Sequence, residues 1–294
     1  MTVKVNASHV DKVVRGSRQR NDCHISTSRV DDAVSKVPAV TLTFWMIKIL
    51  ATTLGETGGD AVSMSWLGET TPGAEASGLN GYLVGTAIFG LLLLGLVWLQ
   101  IRARRFSPWL YWATIIASTT AGTTLADFAT RSIGLGYSGG SLLLFSLVLM
   151  SLFSWHRALG TVDVNRIETA RAETFYWITI TFSQTLGTAL GDWVADSALG
   201  YSGAALLFGA TLAVLATLYW FTTLSRVLLF WAAFIFTRPL GATVGDFLDK
   251  PVAKGGLDFS RPLATAVLAG AVILLILVAP QRGGTHPRDP GEVR

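Results

Sequence analysis

Charge is scarce in this chain. Of 294 residues only 14% are Asp, Glu, Lys or Arg, against roughly 25% in soluble domains, which argues against an ordinary soluble enzyme. The single cysteine, Cys23, excludes a disulfide framework and any multi-cysteine metal or iron–sulfur centre. Histidine is limited to His9, His24, His156 and His286, all outside the apolar stretches, so an intramembrane haem or a His-ligated metal has no ligands. No phosphate-binding Gly loop with Lys opens a helix, so ATP drive is not indicated. The first 36 residues lack the compact apolar run and small-residue cleavage site of a signal peptide. No cofactor is implied. What is abundant is apolar surface: 51% of residues are hydrophobic and ten are Trp. The composition is that of a polytopic membrane protein, and it names no substrate.

A helix needs about 20 apolar residues to cross the hydrocarbon. The pattern predicts eight, near 40–64, 80–101, 108–132, 139–156, 174–196, 203–222, 227–248 and 261–280, with Lys48 and Arg238 inside the first and seventh. An even number of spans puts both termini on one side. That side receives 17 Lys and Arg, from the N-terminal tail, the 102–105 and 157–171 loops, Arg226 and the C-terminal tail. The other receives only Arg131, Lys250, Lys254 and Arg261. The positive-inside rule then makes both termini cytoplasmic. The basic excess is topological, so nucleic acid need not be invoked as a partner; the partner is the lipid bilayer. Residues 1–36, mixed in sign and without period, read as a flexible basic tail. The stretch after Ala279 reads as a second tail, from 282 to 294.

Self-comparison exposes a repeat. Phe44-Trp45, Tyr111-Trp112, Tyr176-Trp177 and Phe230-Trp231 each precede a Gly ten residues after the Trp, and an Asp five residues after that Gly: Gly55/Asp60, Gly122/Asp127, Gly187/Asp192 and Gly241/Asp246. Leu135-Gly136-Tyr137-Ser138-Gly139 is echoed by Leu199-Gly200-Tyr201-Ser202-Gly203, read as outer turns with Ser138 and Ser202 as helix N-caps. The repeats are assigned to 37–105, 106–171, 172–225 and 226–281. Each is a motif helix, an outer loop and a plainer apolar helix, so the four motif helices run parallel, as in transporters with parallel repeats. The expected fold is all-α: eight transmembrane helices as four parallel two-helix repeats in a pseudo-symmetric bundle. The fourfold Phe-Trp…Leu-Gly-x-x-x-Gly-Asp pattern resembles the bacterial "repeat of unknown function" family of uncharacterised membrane-anchored proteins, over about residues 37–280. Thr53–Asp60 and Arg238–Pro251 carry it best; the second repeat departs, with Ala121 and Ala126 for Leu and Gly. The resemblance implies a multi-span inner-membrane protein and no particular activity.

On a helix advancing about 100° per residue, positions four apart share a face. Gly55/Gly59, Gly122/Ala126, Gly187/Gly191 and Gly241/Gly245 therefore form one small-residue stripe per repeat, of the kind that lets helix backbones approach in lipid. Beside it runs a polar stripe: Thr53, Glu56, Thr57 and Asp60; Thr120, Thr123, Thr124 and Asp127; Thr185, Thr188 and Asp192; Thr243 and Asp246, where Pro239 is expected to kink the helix. Each Asp falls about 27–30 Å along its helix, towards the outer end of the hydrocarbon, with Glu56 one turn deeper. Lys48 and Arg238 face the packing side, with Glu56 and neighbouring aspartates as candidate partners. Counting these five acids and two cations leaves three negatives over. The motif tryptophans fit an aromatic belt at the cytoplasmic interface.

Intramembrane acids are a functional hypothesis by default. Glu56, Asp60, Asp127, Asp192 and Asp246 are candidate ligands for a cation or proton, with Lys48 and Arg238 as further binding residues; the specific metal, if any, is unknown. The reading is a transporter of a cation or small solute. The alternative is a scaffold or sensor in which these charges only hold the bundle. An enzyme is not expected: the residue three before each Asp is never Gly, so the Gly-x-Gly-Asp of intramembrane aspartyl proteases is missing, and no His base lies within a span.

Overall fold

The computed structural model describes residues 33–68 and 80–286. The expectations for residues 1–32, for 287–294 and for the outer segment 69–79 lie outside these. Eight α-helices are described: α1 Leu42–Asp60, α2 Gly81–Arg102, α3 Pro108–Asp127, α4 Gly136–Leu159, α5 Ala170–Val194, α6 Gly200–Phe221, α7 Arg226–Asp249 and α8 Arg261–Val278. The four motif helices α1, α3, α5 and α7 start alike. Thr41, Ser107, Thr169 and Ser225 each accept a hydrogen bond from a backbone N–H in the first turn, which satisfies one of the donors a helix start leaves open.

α1 packs on α3, α3 on α5, α5 on α7, and α7 back on α1, closing a ring of four. Each plainer helix packs mainly on the motif helix of the following repeat: α2 on α3, α4 on α5, α6 on α7, and α8 on α1. The last pairing joins the end of the chain to its beginning. The bundle is inverted in polarity. Threonines, carboxylates and Arg238 are buried on the inner ring, while Leu91, Leu142, Phe153, Leu206, Leu274 and Leu277 of the outer helices are exposed. Such a continuous apolar exterior is stable only when covered by something equally apolar.

Among the described residues, five helical stretches could cross a membrane by length and apolarity: Gly81–Arg102, Gly136–Leu159, Ala170–Phe221, Arg226–Asp249 and Arg261–Val278. The third contains α5 and α6, separated where Ser197 turns extended (ψ −179°) and Gly200 adopts φ +61°. α1 and α3 fall outside this group because their surface is mostly inward and polar. α1 carries Lys48, Glu56 and Asp60, and α3 carries five threonines and a serine.

Two local expectations need correction. Ser138 and Ser202 do not cap. α4 and α6 begin at Gly136 and Gly200, both at positive φ, with no side-chain cap; only Gly adopts that backbone freely. Pro239 stands inside α7, which is helical on both sides of it from Arg226 to Asp249. The boundary of the N-terminal tail also shifts. Ala33–Pro38 is a strand, β1, antiparallel to β2, Gly283–His286, so residues assigned to the two tails pair with each other. Ser35 Oγ donates to Val164 O at 2.9 Å, and Lys36 meets Glu173 at 2.5 Å and Ile101 O at 3.1 Å. These contacts gather both strands, the α2 end and the α4–α5 loop at the end of the ring where the motif helices start.

Candidate functional site

Equivalent positions of the four motif helices meet at the same height, so the ring is a stack of layers four residues apart. The lowest is aromatic. Phe44 packs on Trp112 (5.5 Å), Tyr111 on Trp177 (5.8 Å), Tyr176 on Trp231 (6.3 Å) and Phe230 on Trp45 (5.8 Å). Each repeat thus hands its first aromatic to the next repeat's Trp until the circle closes. Trp112, Trp177 and Trp231 are buried. The expectation of an interfacial belt is therefore wrong for these three, which plug one end of the ring, while Trp45 is half-buried at its edge.

Above the plug come Lys48, Ile115, Ile180 and Phe234, all buried. Lys48 Nζ lies 3.7 Å from the Phe234 ring centroid and has no hydrogen-bond partner among the described residues. The expected pairing of Lys48 with Glu56 or an aspartate is not found. Next come Thr52, Thr119, Gln184 and Arg238, which explain the glycines one turn higher. A Cβ on Gly55 would overlap Thr119, one on Gly122 would lie 2.9 Å from the Thr185 nitrogen beside Gln184, one on Gly187 would overlap the Arg238 stem, and one on Gly241 would overlap Thr52. The second small residues repeat this higher up: Gly59 faces Thr123, Gly191 faces Ala242 and Gly245 faces Glu56.

In the following layer Glu56 occupies the centre. Its Oε2 accepts from Arg238 Nη2 (2.9 Å), Thr123 Oγ1 (3.3 Å) and Thr188 Oγ1 (3.2 Å), so one carboxylate is tied to the three other motif helices. The rest of the hydroxyl stripe behaves otherwise. Thr53, Thr120 and Thr185 donate to carbonyls of their own helices, as do Thr57, Thr124 and Thr243. Only the hydroxyl directly after the motif Gly reaches the site.

The four motif aspartates form the next layer, and all are buried. Arg131 bridges Asp127 and Asp192 at 3.0 Å each. Lys250 bridges Asp60 and Asp246, the latter at 2.9 Å, with Asp249 at 3.9 Å. Arg261 lies 3.4 Å from Asp249. The hydropathy pattern assigns Arg131, Lys250 and Arg261 to the outer side, and Asp249 lies outside the repeated motif. The spacing carried a signal: Arg131 and Lys250 each follow a motif Asp by four residues, the separation at which a helix places two side chains on one face. The inferred surplus of three negatives is accordingly corrected. Six buried carboxylates (Glu56, Asp60, Asp127, Asp192, Asp246, Asp249) face five cations (Lys48, Arg131, Arg238, Lys250, Arg261).

Immediately beyond the aspartate layer three motif helices continue as π-turns, Ala61–Trp66, Phe128–Ser132 and Ala195–Leu199; such turns recur at functional sites. Here a recess of about 1020 Å³ opens, lined among others by Arg131, Asp192, Tyr201, Asp249, Lys250 and Arg261. Glu56 does not line it. Two carboxylate trios bring one oxygen each within 4.8 Å of one another: Glu56/Asp192/Asp246 and Asp60/Asp246/Asp249. The second already surrounds the Lys250 ammonium.

A closed ring of four parallel repeats, apolar outside and charged along its axis, has the features of a polytopic helical membrane protein. The chain matches the family described as Repeat of Unknown Function (DUF347) over residues 43–106, 110–161, 175–225 and 229–282, and it belongs to that family. No curated protein and no solved structure matches it.

Proposed function

We propose that this is a multi-pass inner-membrane transporter of a cation or other small solute, not an enzyme, with all eight helices spanning the bilayer and both termini cytoplasmic. The transmembrane count rests on the pairing of each motif helix with an apolar outer helix. The orientation rests on the excess of Lys and Arg at the end where β1, β2 and the α4–α5 loop gather. The observation that carries the transport reading is the approach of Glu56, Asp192 and Asp246 to within 4.8 Å on the ring axis, beneath a recess that Asp192 itself lines. Three buried carboxylate oxygens at that separation repel one another; Arg238, Arg131 and Lys250 offset part of this, and a proton or cation between the oxygens would relieve the rest. Hard oxygen donors suit such a cation better than a soft metal.

A second reading has its own observation. Every motif aspartate, and Glu56, already has a cationic partner, which is what a static scaffold or sensor needs. Flux in proteoliposomes across a panel of alkali and alkaline-earth cations, with and without a pH gradient, separates the two. Cation- or pH-driven flux is the expected result; its absence over the whole panel favours the scaffold. The coupling role of Glu56 is tested in Glu56→Gln/Arg238→Met, which removes both members of the buried pair and leaves neither charge stranded. That variant is expected to fold and to lose the flux. Unchanged flux in the folded double variant sinks Glu56 as a ligand.

A further inference from the structure

We infer that the ring holds a second site, on the inner side of Glu56, for a compact monoanion bound between Lys48 and Arg238. The carboxylate layers described above present acceptors; this one is rich in donors. Arg238 contacts all three other motif helices. Its Nη2 is engaged with Glu56, Thr123, Thr188 (2.5 Å) and the Thr119 carbonyl (3.5 Å). Its Nε and Nη1 have no acceptor among the described residues, and neither does Lys48 Nζ, although both side chains are fully buried. An ammonium brings three donors, and these two guanidinium nitrogens bring three more. In the same layers Thr119 Oγ1, Ser183 Oγ and both ends of the Gln184 amide are also buried and unengaged among the described residues. All five residues lie in the layers between the aromatic plug and Glu56.

Neither neighbouring layer supplies the missing negative charge. Below, the polar groups of the plug are spent: Tyr111 and Tyr176 bond each other at 2.6 Å, and Trp231 Nε1 donates to Val162 O. Above, Asp127 and Asp192 are bridged by Arg131, and Asp60 and Asp246 by Lys250. At this depth Lys48 and Arg238 stand against the single carboxylate of Glu56, so with Lys48 as an ammonium one positive charge is left over. Contact of Lys48 with the face of Phe234 offsets only part of the cost of taking an ammonium out of water. A monoanion accepting from Lys48 Nζ, Arg238 Nε and Nη1 and the Gln184 amide closes that deficit and satisfies the open donors. Because every side chain named here is buried, the anions to test are small ones, of halide, nitrate or formate size. The site does not depend on transport, because a scaffold has the same charge to balance.

The test uses the full-length protein in detergent, exchanged into gluconate, with bromide, nitrate and formate added separately. The expected result is a saturable rise in Tm, of about 3–5 °C per tenfold anion once the site is filling. Bromide should also give an anomalous diffraction peak in contact with Lys48 and Arg238. A response to halide and nitrate alone identifies an inorganic anion; a stronger response to formate identifies the carboxylate end of an organic solute. Lys48→Met removes the surplus charge and is expected to fold in gluconate with a Tm indifferent to all three salts. No saturable response in the wild-type protein overturns the site, as does water at that position in bromide-soaked crystals. An undiminished response in Lys48→Met also overturns it. The wild-type measurements need no variant, so a failure of Lys48→Met to fold does not decide the matter, and a failure of cation flux leaves this result untouched.

Discussion

The two ends of the ring are built on the same register and obey different symmetries. At the aromatic end all four repeats contribute the same pair, Phe or Tyr followed by Trp, and each contact is passed on identically around the circle. At the carboxylate end the four aspartates are still equivalent, but their counter-ions come from repeats two and four alone. Arg131 joins its own Asp127 to the Asp192 of the next repeat, and Lys250 joins its own Asp246 to Asp60. At the same register repeats one and three have Met64 and Asp196. The plug is fourfold and the charged layer twofold. The frame set by the repeated glycines therefore tolerates chemical differences at one end without losing its packing. A polar layer with two cation-bearing repeats can present unequal gaps to a solute, which a fourfold layer cannot.

The frame itself is the most sensitive place to break. Gly187→Leu drives a branched side chain into the Arg238 stem, and Gly241→Leu drives one into Thr52. Overpacking of this kind costs about 1–3 kcal/mol or more, here at sites where backbones meet. Both variants are expected to lose folded protein, read as the monodisperse fraction after extraction. Gly90 of α2 and Gly209 of α6 have open space around a Cβ, so their Ala variants should match the wild type or gain slightly. Equal behaviour of inner and outer glycines would show that the ring is not tightly packed.

The twofold layer is next. Lys250→Met strands Asp60 and Asp246, and losing one member of a buried pair costs roughly 3–5 kcal/mol. Arg131→Met strands Asp127 and Asp192, but Arg131 is 32% exposed against 9% for Lys250, so solvent softens its loss. A clearly lower Tm is expected for both, lower for Lys250→Met, with recovery when Asp60→Asn and Asp246→Asn are added to it. A Lys250→Met protein as stable as the wild type would mean that its two aspartates do not need the bridge, and the twofold description of the layer would fall.

Much of this arrangement was legible in the residues alone. Three fixed markers, Trp, Gly and Asp at constant spacing, give the four repeats and their parallel direction, because spacing along a helix translates directly into height and face. Contacts between repeats are less accessible. That Glu56 would take Arg238, 182 residues away, and leave Lys48 without a partner depends on which motif helices are neighbours in the ring. Cyclic order is not written in any one repeat. Three of the motif tryptophans were misassigned for a related reason: an aromatic residue near a helix end suits a lipid interface and a closed plug equally well, and only the ring decides between them. Arg131 and Lys250 lie at or just past the ends of the predicted spans, and that position masks their four-residue spacing to Asp127 and Asp246. The pairing of β1 with β2 left no periodic signal, since six residues and four residues are too short to show one.

The smallest effect is expected at the aromatic end, and it tests whether that end is held by shape alone. Within the fourfold plug, repeats two and three differ from one and four by two hydroxyls, Tyr111 and Tyr176 in place of Phe44 and Phe230. Those hydroxyls bond each other at 2.6 Å in a fully buried setting. Tyr111→Phe removes one member and leaves the other without its partner, which costs about 1–3 kcal/mol. The double variant Tyr111→Phe/Tyr176→Phe removes both and restores the pattern of repeats one and four. Replacing both partners by apolar groups of the same shape is close to neutral. Tm should therefore fall in either single variant and return most of the way in the double variant, a positive coupling measurable in one cycle. If the losses simply add, the hydroxyls act separately, and the plug is less uniform than its ring geometry implies. If the cycle closes as expected, the aromatic end is fourfold in energy as well as in form, and the departure from that symmetry belongs to the charged end alone.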